Sequence, residues 1–177
     1  MADALRSAVI VAVPEAADAV NRWRERTGSD KPSTGVPPHV TLVFPFAPAG
    51  QIDGKLIAAL REVVARVDAF ELEFRETARW PELVYLPPEP AAPFRQLTEA
   101  IAARFPEYPP YEGAIPLDGL IPHLTVASAA ASLFDEVEAD VRPHLPIKAR
   151  VQEAVLLEEV EPDWERWQIR ARLSLRS

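Results

Sequence analysis

Pro37-Pro38-His39-Val40-Thr41-Leu42-Val43-Phe44 is matched further along the chain by Ile121-Pro122-His123-Leu124-Thr125-Val126-Ala127. Both stretches read Pro-His-x-Thr-apolar. Side chains of a β-strand alternate between its faces, so in each copy the His and the Thr share one face, while Val40 and Leu42, or Leu124 and Val126, pack on the other. Each copy therefore presents one imidazole and one hydroxyl together. The chain has three His, and two of them having Thr two places on by accident is a coincidence of roughly 0.3 per cent. A single copy would read as a strand with a hydrogen-bonded His and a Thr chosen for its β-propensity; the pair points to a built site.

Working outward, the 177 residues suffice for one substantial core or one domain with two lobes, and 48% hydrophobic with 26% charged residues is ordinary globular composition. The formal charge of −8 argues against a sequence-independent grip on duplex DNA, which needs many Lys and Arg on one face. With no cysteines, disulfides and thiolate metal sites are excluded. The N-terminus lacks a signal-peptide pattern and no apolar run approaches membrane-spanning length, so a cytoplasmic protein without membrane association is expected.

The apolar run Leu5 to Val13 predicts a strand buried on both faces. A helix is predicted over Glu15 to Arg26 with Gly28 as its stop, then a loop Ser29 to Pro38 into the first His strand. A helix follows from Asp53 to Val67, a strand with Phe70, Leu72 and Phe74 inward, and a strand Glu82 to Leu86. A third helix, Ala92 to Phe105, leads to a long loop, Pro106 to Pro122, with Tyr108 and Tyr111 as stacking candidates that a packed Pro-Tyr loop explains equally well. After the second His strand come a helix Ser132 to Leu145, whose Asp135, Glu136, Glu138 and Asp140 read as a solvated face, one strand from Ile147 to Val160, and a strand in which Trp167, Ile169, Ala171, Leu173 and Leu175 alternate with polar residues. The last two strands predict a hairpin, with its Arg row toward solvent. Each His strand is preceded by strand-helix-loop and followed by helix-strand, so the chain divides into similar halves, about 1–86 and 87–177. The expected class is α+β, a bilobal pseudo-twofold domain over 1–177: each lobe has an antiparallel-rich sheet with helices on its outer face, and a groove lies between the lobes.

If the halves pack about such an axis, His39 and His123 face each other with Thr41 and Thr125 beside them. A neutral imidazole can then take a proton while a protonated one supplies a proton to a leaving oxygen, and the hydroxyls can donate to phosphate oxygens. A metal site would need a third ligand such as His144 or a carboxylate, and neither His-x-His nor His-Glu-x-x-His spacing is present. No Gly-x-Ser-x-Gly turn supports a Ser nucleophile.

On these residues the chain resembles the two-histidine (2H) phosphoesterases, in particular the branch named for 2′-5′ RNA ligases, over essentially its whole length. The resemblance implies His39 and His123 as the acid-base pair and Thr41 and Thr125 as phosphate ligands. It also implies cyclic or 2′-5′ phosphodiesters on RNA ends or small nucleotides as substrates, with neither metal nor cofactor. A monomer is expected. Where ligase-type members often carry Lys and Arg after the motifs, this chain has Val43 and Ser128, which disfavours RNA more than it disfavours hydrolysis. Phosphodiesterase activity is the expected function. A non-catalytic module binding a nucleotide or RNA end is the alternative.

Overall fold

The computed structural model describes residues 4–28, 30–163 and 165–177. Seven strands make one antiparallel sheet in the order β10-β9-β1-β2-β7-β5-β4. These are β1 Ser7–Ala12, β2 His39–Val43, β4 Ala78–Trp80, β5 Leu83–Leu86, β7 Leu124–Ser128, β9 Glu153–Glu161 and β10 Arg166–Ser174. A smaller sheet orders β6 Pro88–Glu89, β3 Phe70–Phe74 and β8 Ile147–Val151. The helices are α1 Ala17–Thr27, α2 Gly54–Val64, α3 Ala92–Arg104 and α4 Phe134–Val141. The α+β class and its antiparallel sheets are as expected.

The two His strands are neighbours at the middle of the large sheet, antiparallel, with Val40 opposite Leu124. On one side β1 pairs with β2, and on the other β5 pairs with β7. The strand-helix-strand unit β1-α1-β2 thus has its counterpart in β5-α3-β7. A division at residue 86 would fall at the end of the counterpart's first strand rather than before it. The flanks are exchanged: β4, from the first unit, extends β5, while β9, from the second, extends β1.

The main core joins one face of the sheet to all four helices, through Val20 and Trp23 of α1, Leu60 and Val64 of α2, Leu97 and Ile101 of α3, and Val137 and Val141 of α4. These are the apolar positions at helical spacing, and their burial is what holds helices of 8 to 13 residues, too short to be stable alone. Asp53 caps α2, its side chain accepting from the Leu56 amide at 2.8 Å. On the other face a small cluster of Ala8, Ile10, Val36, Val155, Leu157 and Trp167 leaves the centre open.

Several local expectations are corrected. The strand predicted over Ile147 to Val160 is two: β8 pairs with β3 in the small sheet and β9 with β1 and β10 in the large one, the chain changing sheets at Gln152. The short strands β4 and β6 follow no strong sequence pattern and lie outside the expected elements. Helix four is shorter, with one-turn 3₁₀ segments at both ends, and two more such turns lie in the Pro106 to Pro122 loop. Gly28 ends α1 in extended conformation, φ −84°, not the left-handed one of a typical glycine stop. Glycine is required there because a Cβ would lie 2.8 Å from the Arg24 carbonyl oxygen. The acidic face of α4 is largely solvated, as expected, with Asp135 93% exposed, and it also carries ion pairs: Asp135 and Glu138 with Arg79, and Asp140, which also accepts from the Trp23 indole, with Arg22.

Candidate active site

His39, Thr41, His123 and Thr125 all line one groove of about 310 Å³ on the open face of the sheet, at the β2–β7 join. Strand geometry puts them there. With Val40 opposite Leu124, continuing the register by one residue sets Thr41 across from His123 and His39 across from Thr125. Val40 and Leu124, pointing the other way, are fully buried among the helices.

Each imidazole is held in the same way. Nδ1 of His39 donates to the Pro37 carbonyl at 2.8 Å, and Nδ1 of His123 donates to the Ile121 carbonyl at 2.8 Å. A carbonyl oxygen only accepts, so the proton of the neutral ring is on Nδ1 and Nε2 keeps its lone pair for chemistry. In both cases the residue between acceptor and His is proline, Pro38 or Pro122, whose restricted φ helps present the carbonyl to the ring. This is the physical content of the Pro-His pair in the motif. Burial pushes both imidazoles below the ordinary value.

A bulge shapes the groove at the same place in both copies. Ile10 is opposite Thr41 but Val9 opposite Val43, leaving Leu42 as the extra residue. Tyr85 is opposite Thr125 but Val84 opposite Ala127, leaving Val126 as the extra residue. Each follows its motif Thr, and each reverses the faces downstream. Val43 and Ala127 are therefore buried in the helix-side core, while Phe44 and Ser128 line the groove. The Leu42 carbonyl at the first bulge accepts from the Thr98 hydroxyl of α3 at 3.0 Å.

Other residues belong here, and of these the sequence points only to Tyr111, as a stacking candidate. Trp80 and Tyr85 pack on His123, ring centroids 4.7 and 5.7 Å away. Asp30 and Trp167 line the groove. Tyr111 has φ of 51°, its amide donates to the Phe44 carbonyl at 2.7 Å, and burial raises its phenol. It lies between the groove and a second cavity of about 400 Å³ that extends under α3, bounded by Phe94, Arg95, Leu117 and Leu120. Thr41 and His123 also border this cavity. No Lys or Arg lines the groove, and Asp30 is its one carboxylate, among the described residues. Nor is any group of three or more His, Cys, Asp or Glu placed to hold a metal ion among them.

Among curated proteins no sequence matches this chain. Solved structures share its fold. Escherichia coli LigT complexed with 3′-AMP superposes with a TM-score of 0.63 at 18% identity, covering 99% of this chain and 100% of that one. A structure described as a phosphoesterase gives 0.62 at 16% identity, with 99% and 100% covered. TT0787 of Thermus thermophilus gives 0.57 at 21% identity, with 97% and 98% covered. The family model of the 2′-5′ RNA ligase superfamily matches residues 12–163, both His-x-Thr strands included, and the chain belongs to that superfamily.

Proposed function

We propose that this protein is a metal-independent phosphodiesterase acting on cyclic or 2′-5′ phosphodiesters of small nucleotides or RNA ends. The observation that carries the reading is the convergence of two imidazoles, each tied at Nδ1, and two hydroxyls on one groove. In hydrolysis of a 2′,3′-cyclic phosphate, water gives a proton to Nε2 of one imidazole as its oxygen bonds to phosphorus. The bond from phosphorus to one ribose oxygen breaks, and that oxygen takes a proton from Nε2 of the other imidazole. Thr41 and Thr125 donate to the non-bridging oxygens as their charge grows. The adjoining 400 Å³ cavity, bounded by Thr41 and His123, has room for the organic group attached to that phosphate. Escherichia coli LigT has been solved with 3′-AMP, NADP+, ATP and phosphate, the ligand class this reading requires. With no Lys or Arg along the groove among the described residues, a small nucleotide suits this site better than a long RNA strand.

The test is hydrolysis of nucleoside 2′,3′-cyclic monophosphates in excess chelator by the wild type, His39→Ala and His123→Ala. Turnover should survive the chelator and fall by about 10³-fold or more in each variant. The pH profile of kcat/KM should be bell-shaped. Both free-enzyme imidazoles are pushed down by burial, so the acid is lost as pH rises through a value below the ordinary 6.5, and the optimum should lie on the acidic side of that value. Turnover abolished by the chelator, or a flat profile between pH 5 and 8, would sink the mechanism. Ligand binding without turnover would favour a binding module.

A further inference from the structure

The two imidazoles share a backbone hydrogen bond but differ in their neighbours. His123 stands against the rings of Trp80 and Tyr85. Burial pushes it down and the Ile121 carbonyl opposes this; Arg95 and Glu99 line the adjoining cavity that His123 also borders, and neither contributes to its shift. His39 has a carboxylate beside it: Asp30 Oδ2 is 3.8 Å from Nε2. Burial again dominates at His39, Asp30 and the Pro37 carbonyl oppose it, and Arg24 and His123 add smaller downward pushes. Tyr111 faces the groove from the loop before β7.

Asp30 is held in place by a buried arginine. Arg24, on α1, is 1% exposed. Its Nη2 donates to the Asp30 carbonyl at 2.7 Å and to the Val36 carbonyl at 3.0 Å, its Nη1 donates to Asn21 Oδ1 at 3.0 Å, and Nη2 lies 3.6 Å from Asp30 Oδ2. A buried guanidinium is costly unless its donors are satisfied and its charge is met. This one ties together the loop between α1 and β2 and sets the carboxylate at the mouth of the groove. Gly28 is part of the arrangement, since a Cβ there would lie 3.0 Å from Asp30 Oδ1.

We propose that Asp30, held by Arg24, is a positioning residue that keeps the shared proton on His39, so that His39 is the general acid and His123 the general base. This rests on the phosphodiesterase reading above. A carboxylate 3.8 Å from Nε2 is close enough to favour the imidazolium and beyond hydrogen-bonding distance, so the N–H stays free for the leaving oxygen. His123, in its aromatic surroundings, is the neutral ring that accepts the proton of water. After the step His39 is neutral and His123 charged, and return of one proton through solvent restores the starting state.

The experiment is NMR titration of the imidazole Hε1 resonances, assigned with His39→Ala and His123→Ala, in the wild type, Asp30→Asn and Asp30→Glu, beside pH profiles of turnover. In the wild type His39 should titrate at higher pH than His123. Asp30→Asn should move the His39 titration and the alkaline limb of the rate profile to lower pH, leave His123 in place and cut kcat on that limb by about tenfold. Asp30→Glu should restore most of the loss. The proposal is overturned if His123 titrates above His39 in the wild type, a comparison that needs neither Asp30 variant to fold, or if Asp30→Asn leaves His39 where it was. Failure of the wild type to turn over any phosphodiester would count against the functional reading alone, and the order of the two titrations would still decide the role of Asp30.

Discussion

At the scale of the residue, the two threonines are the sharpest test of how the site works. Each sits across the strand pair from the other motif's His, half-buried at the groove. Thr→Val keeps the β-branched shape and removes the donor. Thr41→Val and Thr125→Val should each lower kcat/KM for a cyclic phosphodiester by about 10²- to 10³-fold while leaving the thermal midpoint nearly unchanged, and Thr→Ser should keep most of the activity. A loss confined to stability would instead make them ordinary strand residues. The His and Thr positions were legible because the strand period puts i and i+2 on one face wherever the strand goes. Asp30, Trp80 and Tyr85 were not, because nothing in their local pattern brings them to the imidazoles: Trp80 and Tyr85 arrive through the β4–β5–β7 pairing, and Asp30 through a buried arginine on another element.

At the scale of the element, bulges decide which residues the strands present. Val43 stands two residues after Thr41 and Ser128 three after Thr125, and with a bulge at the residue after each Thr the first, like Ala127, enters the core while the second, like Phe44, lines the groove. Val43→Lys should therefore cost more than about 3 kcal/mol, a buried charge with no partner, whereas Ser128→Lys should change stability by less than about 0.5 kcal/mol. Denaturant midpoints would show the contrast, and equal effects would refute the placement. The final strand shows the same thing. Its alternation from Trp167 to Leu175 predicts one inward face, but the register slips between Ile169 and Ala171. Ala171 and Leu173 enter the helix-side core, Trp167 turns to the groove face, and Ile169 is 43% exposed. A bulge inserts one residue without altering the apolar-polar rhythm, so periodicity cannot report it.

At the scale of the whole molecule, the fold depends on contacts between distant parts of the chain. Gly35, in the loop before β2, has φ of +95°, and a Cβ there would lie 2.5 Å from the Trp167 carbonyl oxygen in the C-terminal hairpin. Gly35→Ala should cost about 2 kcal/mol and lower Tm by about 4–8 °C, through positive φ and close approach together; an unchanged Tm would mean that the loop and hairpin are not in contact. The exchange of flanking strands extends this dependence, because β9 completes the sheet beside β1 and β4 completes it beside β5. Local pattern alone determined the four helices, most of the strands, the repeat and the two His-Thr pairs, since propensity and periodicity act over a few residues. Tertiary structure alone decided that the two motif strands lie side by side, that one imidazole faces a carboxylate and the other two aromatic rings, and that the tail of the chain closes the sheet at its head. Those outcomes depend on which strand edges meet and how their registers slip, and both are settled only when the apolar faces are buried together.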